Sequence, residues 1–284
     1  MQALGMKWRS WAVLCAALIA AGTLAQAQSE TSSRQFEPKV GQAGKDVVWV
    51  PTPQELVDKM LDMAKVTPQD FVMDLGSGDG RTVITAAKRG ARAMGVEYNP
   101  DMVALSQRNA TAQGVTERAA FVQADLFEMD LSPATVITMF LLPDINLKLR
   151  PRILDQKPGT RVVSHQFNMG DWQPDETVDI DNRLAHLWIV PAQAGGNWSL
   201  RIDGGAQEQR LSLRQSYQSL SGQLNGAAAP LAVSDARLRG DQIRFAVTEG
   251  AARRDFSGRV RGNTMDGMVR AAGSPDLRWS ASRR

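Results

Sequence analysis

Residues 71–80 read Phe71-Val72-Met73-Asp74-Leu75-Gly76-Ser77-Gly78-Asp79-Gly80. Phe71-Val72-Met73 is a short apolar run of strand length, and Thr82 to Arg89 behind it carries helical spacing. Three glycines fill the gap. Gly76 and Gly78 let the backbone turn sharply and approach a ligand, while Gly80 permits close packing where the helix begins. A Gly-rich turn alone is weak evidence for a binding loop, so its meaning depends on its neighbours.

Those neighbours alternate. Upstream, Pro53 to Lys65 sets Leu56, Val57, Met60, Leu61 and Ala64 at helical spacing. Downstream come a strand at Ala93 to Val96, a helix at Asp101 to Ala112 and a strand at Ala119 to Val122. Further strands follow at Val136 to Phe140 and Arg161 to Phe167, with a helix from Asp144 to Asp155 between them. Val178 to Ile180 and Leu184 to Val190 form a terminal antiparallel hairpin. Strands alternating with helices in this way predict an α/β fold, a doubly wound Rossmann-like sheet over residues 46–191.

Two acids fall at strand ends. Glu97 closes the second strand, seventeen residues after Gly80, where a carboxylate can accept both hydroxyls of a ribose. Asp125 closes the third, in Gln123-Ala124-Asp125-Leu126-Phe127. It can accept an adenine amino group while the next backbone N–H, that of Leu126, bonds the ring. Solvated loop acids would have no reason to join the glycine loop at the carboxyl ends of successive strands.

This constellation resembles the class I S-adenosylmethionine-dependent methyltransferases over Val47 to about Val190. Asp74 to Gly80 resembles their first motif, Glu97 the ribose ligand and Asp125 the adenine contact. A Rossmann dehydrogenase is the competing fold-mate. It usually spaces its glycines G-x-G-x-x-G, whereas here they run G-x-G-x-G behind Asp74. A narrower resemblance is to a lysine methyltransferase family that includes the ATP-synthase c-subunit enzymes. Val48-Trp49-Val50-Pro51-Thr52-Pro53 looks like that family's Y-V-P-T/S segment, with Trp49 in place of Tyr. Leu141-Leu142-Pro143 looks like its L-L/I-P stretch, and Gly159 to Ser164 like its fifth-strand start. The resemblance implies S-adenosyl-L-methionine as cofactor, held by Thr52, Asp74, Gly76, Ser77, Gly78, Gly80, Glu97, Asp125 and Leu126.

The fourth strand bears on the acceptor. Nucleic-acid amino-methyltransferases commonly place D/N-P-P-Y/F there to grip a flipped base. Met139-Phe140-Leu141-Leu142-Pro143 has no polar group to bond a base amine, so a nucleobase is disfavoured. A neutral amine in a water-poor channel needs no strong base, because desolvation lowers its pKa. Phe140, Leu142, Pro143 and Trp49 are the expected apolar wall, with Thr52 at the methionine carboxylate or the channel mouth. His165 on the fifth strand is either a general base or a structural histidine bonded to the backbone. His186 reads as structural, and Met139 and Met169 as core filler. The expected acceptor is a protein lysine; the alternatives are a small molecule, for which His165 would matter, or a non-catalytic binding protein that keeps the cofactor fold.

The two ends differ from the middle. Lys7 and Arg9, the apolar Trp11 to Ala25 and the Ala25-Gln26-Ala27 end have the pattern of a signal peptide over residues 1–27. This predicts an exported, periplasmic protein, or one anchored by an uncleaved segment. Export conflicts with a donor made in the cytosol. Residues 28–45 read as a flexible polar leader. After a linker at Pro191 to Gly196 the period becomes 2, as in Ile243, Phe245 and Val247. Turn signals such as Asn225-Gly226 recur, so residues 192–284 predict a small all-β barrel or sandwich. Its Gly196-Asn197-Trp198 start and Arg283 end bear a slight resemblance to lipocalin-like barrels.

One Cys and two His exclude a zinc ribbon or a disulfide scaffold, and no metal site is expected. The net charge of +3 hides a division. Residues 28–191 carry 17 Lys and Arg against 22 acids, while residues 192–284 carry 14 Arg, no Lys and 8 acids. An acidic cofactor domain joined to a basic, arginine-only β domain suits mutual docking or an anionic partner.

Overall fold

A computed structural model describes residues 36–45, 47–205, 207–225 and 229–284. The expected signal peptide lies outside the described residues. Pro38–Arg284 form one compact unit containing a seven-stranded sheet and a closed barrel.

The sheet is built from β1 (Phe71–Leu75), β2 (Arg92–Glu97), β3 (Ala119–Gln123), β4 (Val136–Met139), β5 (Arg161–His165), β6 (Glu176–Ile180) and β7 (Arg183–Ile189), in the order β3-β2-β1-β4-β5-β7-β6. The first five strands are parallel, and β7 runs antiparallel to both β5 and β6. Covered on both faces, β1 and β4 are almost wholly buried, which is why they read as continuous apolar runs. The helices are α1 (Gln54–Met63), α2 (Arg81–Lys88), α3 (Pro100–Ala112) and α4 (Pro143–Leu154). α3 starts where it does because the Asn99 side chain accepts from Asp101 N and Pro100 occupies the first turn.

Three local readings change. β5 stops at His165 rather than Phe167, because Gln166 turns to a φ of +67°. The expected linker is packed: Ala192 and Ala194 are buried in the barrel core, and the Gln215 side chain accepts from Ala194 N and Gly195 N while donating to Ala192 O. The described part of the leader is also organised. Gly41 N donates to Trp49 O, Trp49 N to Gln42 O, and Ala43 bridges to Val48. Low hydrophobic periodicity conceals this turn because backbone bonds, not an apolar face, hold it.

The β domain is a closed barrel, not a sandwich. Its strands are β8 (Gly196–Ile202), β9 (Gln209–Ser216), β10 (Ser219–Asn225), β11 (Pro230–Arg239), β12 (Gln242–Glu249), β13 (Ala252–Arg261), β14 (Thr264–Ala271) and β15 (Leu277–Arg283). The last strand returns to pair with the first, from Trp279↔Ile202 to Arg283↔Trp198. Side chains fill the interior, as eight strands allow. Phe245 and Phe256 stack at 4.5 Å and Trp279 meets both edge-on at 5.8 Å. Gly258 faces Gly267 across β13 and β14, and a Cβ at Gly258 would meet Trp279 Cζ2 at 2.7 Å. Arg283 closes one end, its guanidinium 4.3 Å from the Trp198 ring.

The barrel docks on the β5–β6 connection. Asp175, whose side chain is 1% exposed, accepts from Arg237 at 2.7 Å and from Ile189 N at 2.9 Å. Tyr217 stacks on Trp172 at 5.9 Å, and Gln218 Nε2 donates to Gln173 O at 2.6 Å.

Candidate active site

A cleft of about 330 Å³ opens at the carboxyl ends of β1 to β4. Its floor is the glycine loop. Gly76 N and Ser77 N both donate to Val96 O, which ties the loop to β2. Glu97 clasps the loop from the side, one oxygen accepting from Gly78 N at 3.0 Å and the other from Asn99 N at 2.9 Å. From α3, Ser106 Oγ donates to Gly78 O at 2.7 Å and Asn109 Nδ2 to Asp79 O at 2.9 Å.

Gly76 and Gly78 hold φ of +78° and +56°, the left-handed region that favours glycine. A Cβ at Gly78 would lie 2.7 Å from the Trp49 indole nitrogen, so Trp49 covers the loop. Gly80 faces inward instead, where a Cβ would meet the Phe121 ring at 2.7 Å and Ser106 at 2.9 Å. It is a packing position that does not line the cleft.

The cleft lining holds more acids than bases, Asp74, Asp79, Glu97 and Asp125 against Lys45 and Arg81. Burial first, then the charges of Asp79 and Glu97, push the Asp74 carboxyl up to about 7, against the bond from Thr138 Oγ1 at 2.6 Å. Asp79 is paired with Arg81, whose guanidinium also donates to Thr52 O at 2.8 Å. Asp125 is paired with Lys45 at 2.6 Å, and this bond together with the one from Phe127 N holds its carboxyl below the usual range. Lys45 also lies 4.5 Å above the Tyr98 ring.

Thr52, Asp74, Gly76, Ser77, Gly78, Glu97, Asp125 and Leu126 all line the cleft, as do Phe140 and Leu142. Pro143 and His165 do not. Pro143 is the exposed first residue of α4. His165 is buried behind the wall, with Nδ1 3.0 Å from Thr52 Oγ1 and its ring 3.8 Å from that of Phe140. Its bond is to a side chain, not to the backbone. Burial first, then the Arg183 charge, lower its pKa to about 4, so it is neutral near pH 7. Phe167 adds a ring 6.2 Å from Phe140.

Several contributors escaped sequence reasoning. Gln42 and Lys45 sit in an unpatterned polar stretch. Ser106 and Asn109 look like ordinary helix polars, although their i, i+3 spacing faces them both toward the loop. Gly95 is a glycine inside β2, where a Cβ would meet Ser77 Oγ at 2.5 Å, and a strand glycine is itself a signal of close approach.

These residues fit S-adenosylmethionine. The charges of Asp79 and Glu97 both bear on Asp74, in a cleft that gains from a cationic ligand. Ser77 Oγ is buried with no protein partner. Among the described residues no cluster of His, Cys, Asp and Glu forms a metal site.

The ANTKMT methyltransferase domain matches residues 74–176. A protein-lysine N-methyltransferase of Saccharolobus islandicus (strain REY15A) is 44% identical over 151 residues, 51% of this chain and 94% of its own. The adenine nucleotide translocase lysine N-methyltransferase of Mus musculus is 36% identical over 120 residues, 42% of this chain but only 52% of its own. The crystal structure of an RNA methyltransferase from Salinibacter ruber, in complex with S-adenosyl-L-homocysteine, superposes with a TM-score of 0.50 at 49% identity, covering 51% of this chain and 95% of that one. The chain thus belongs to the family of the archaeal protein-lysine N-methyltransferase, S-adenosylmethionine-dependent enzymes of the ANTKMT methyltransferase type.

Proposed function

We propose that the protein methylates lysine side chains of a protein acceptor. The observation that carries this is the chemistry of the cleft rim. Phe140, Leu142, Tyr98, Val48 and Val50 surround it, and the last three with Leu142 are exposed. An apolar rim suits the alkyl stem of a lysine and dehydrates its amine, which favours the neutral nucleophile. Bound S-adenosylmethionine supplies an electrophilic methyl group, transferred in line. Asp74, Glu97 and the loop hold the donor, Thr52 and Arg81 form the wall beside them, and Phe140 excludes water from the reacting amine.

The names of the archaeal and mouse relatives support a lysine acceptor, whereas that of the Salinibacter protein points to RNA. Incubation of the purified protein with methyl-labelled donor and a cell extract separates them. The expected result is label in protein that is lost when the extract's lysines are blocked beforehand. Label confined to RNA or to small molecules overturns the proposal. Phe140→Asp is expected to bind donor while losing most transfer, and normal transfer would remove the apolar channel from the mechanism.

We also propose that residues 1–27 direct export, on the basic start, apolar run and Ala25-Gln26-Ala27 end. No helix among the described residues is long and apolar enough to cross a membrane. A reporter active only outside the cytosol, fused after residue 30, is expected to be active, and an inactive fusion rejects export.

A further inference from the structure

The barrel carries a second concavity, of about 800 Å³, across the outer faces of β11 to β14. Arg237, Arg239, Arg244, Arg259 and Arg261 line it, around the Ser257 hydroxyl. It lies away from the candidate cofactor cleft. The cleft sits at the carboxyl ends of β1 to β4, whereas Asp175 at the groove's edge binds Ile189, which pairs with Arg161 at the start of β5.

The groove concentrates like charge. Arg237 and Arg244 are direct cross-strand partners, an arrangement that costs stability unless an anion joins them. Asp175 holds Arg237, Asp241 holds Arg259 and Asp266 holds Arg261. Arg239 and Arg244 are exposed and have no ion-pair partner among the described residues. Guanidinium forks match phosphate oxygens in a bidentate way that ammonium groups do not, and residues 192–284 hold no Lys at all.

Two further features choose among anions. The barrel rings Trp198, Phe245, Phe256 and Trp279 are buried, and Tyr217 is stacked on Trp172. The groove therefore lacks the aromatic platform on which single-stranded nucleic acid stacks. Beside the arginines, Met268 in the groove is 40% exposed and faces outward with its cross-strand partner Arg278. Arginines around an exposed apolar side chain suit a lipid surface, with phosphates at the charged layer and the apolar group beneath.

We propose that this groove docks the protein on an anionic phospholipid surface, with headgroup phosphates seated against Arg239 and Arg244. The cofactor cleft then faces away from the bilayer, whatever the acceptor is. The test is phenylglyoxal modification of the full-length protein on vesicles, mapped by peptide mass spectrometry with the exposed Arg214 as internal reference. Reading two named side chains keeps any vesicle contact of the apolar N-terminal stretch out of the result. On vesicles containing phosphatidylglycerol, modification of Arg239 and Arg244 is expected to slow at least about fivefold, and high salt to abolish the effect. Phosphatidylcholine vesicles and soluble glycerol phosphate at equal phosphate concentration are expected to give no protection. Equal protection by either control, no protection by anionic vesicles, or protection by an RNA oligonucleotide where vesicles give none overturns the proposal. R239Q/R244Q is expected to lose the extra sedimentation with phosphatidylglycerol vesicles over neutral ones, and unchanged sedimentation also overturns it.

Discussion

Asp74 is the residue where fold and chemistry conflict most. Its carboxyl is buried, near two other acids, and titrates at about 7 instead of 3.8. A folded-state pKa above the unfolded one means that the contribution of Asp74 to the stability of the cofactor-free protein falls as pH rises from about 4 to about 7. A cationic donor needs the ionised form, so donor affinity should strengthen over the upper part of that window. Calorimetric titration with S-adenosylmethionine is expected to weaken progressively below pH 7, and Asp74→Asn to flatten that dependence. The amide keeps an acceptor for Thr138 and removes the repulsion, so the variant should melt higher than the unaltered protein at pH 8 while binding donor roughly 10–100-fold more weakly. The two loop glycines should separate in the same assays. Gly78→Ala meets Trp49 at a left-handed φ and is expected to weaken donor binding about tenfold or more. Gly80→Ala drives a methyl into Phe121 and is expected to cost roughly 2 kcal/mol of stability. His165 is a different case, being neutral and screened by Phe140. His165→Gln should leave the shape of the rate–pH profile between pH 5 and 8 unchanged, and loss of a limb there would restore it as a base.

The element that completes the cleft is the turn from Lys39 to Thr52. Lys45 reaches across to Asp125, which is also where an adenine amino group is expected. The Lys45–Asp125 pair is partly exposed, so breaking it costs little, about 0–1 kcal/mol. Lys45→Ala is accordingly expected to tighten donor binding by up to about fivefold, whereas Asp125→Ala weakens it; looser binding by the lysine variant would make Lys45 a donor contact instead. This turn also marks the boundary of what the sequence makes legible. The alternation of strands and helices, the glycine loop and the acids at strand ends all follow from local pattern, and each lies where the pattern puts it. Gln42 and Lys45 are placed by backbone bonds linking Gly41 and Gln42 to Trp49 and by pairing with residues sixty and eighty positions away, which no window of sequence contains. The barrel is similar. Period 2 announces strands, but closure depends on β15 meeting β8 across the whole domain, so barrel and sandwich look alike until Trp279 is seen opposite Ile202.

At the scale of the molecule, an acidic sheet domain and a basic barrel meet around a buried carboxylate, beside the Tyr217–Trp172 stack and the Gln218–Gln173 bond. Asp175 answers both Arg237 of the barrel and Ile189 N of the sheet, so its loss strands a guanidinium and a backbone donor together. Asp175→Ala is expected to cost about 3 kcal/mol, a fall of roughly 6–12 °C in melting temperature by calorimetry. The cleft draws none of its lining from the barrel. The archaeal relative reaches 94% of its own length in 151 matched residues, so a chain of about that size makes a complete member of the family. Stability and donor binding should therefore part company. A chain ending at Pro191 is expected to bind S-adenosylmethionine within about threefold of the full protein while melting lower, because Trp172 loses Tyr217 and Asp175 loses Arg237. If truncation abolished donor binding instead, the β5–β6 connection would have to be transmitting the barrel's support to Phe167 at the cleft wall, through the Asn146 side chain that holds the Phe167 and Asn168 carbonyls.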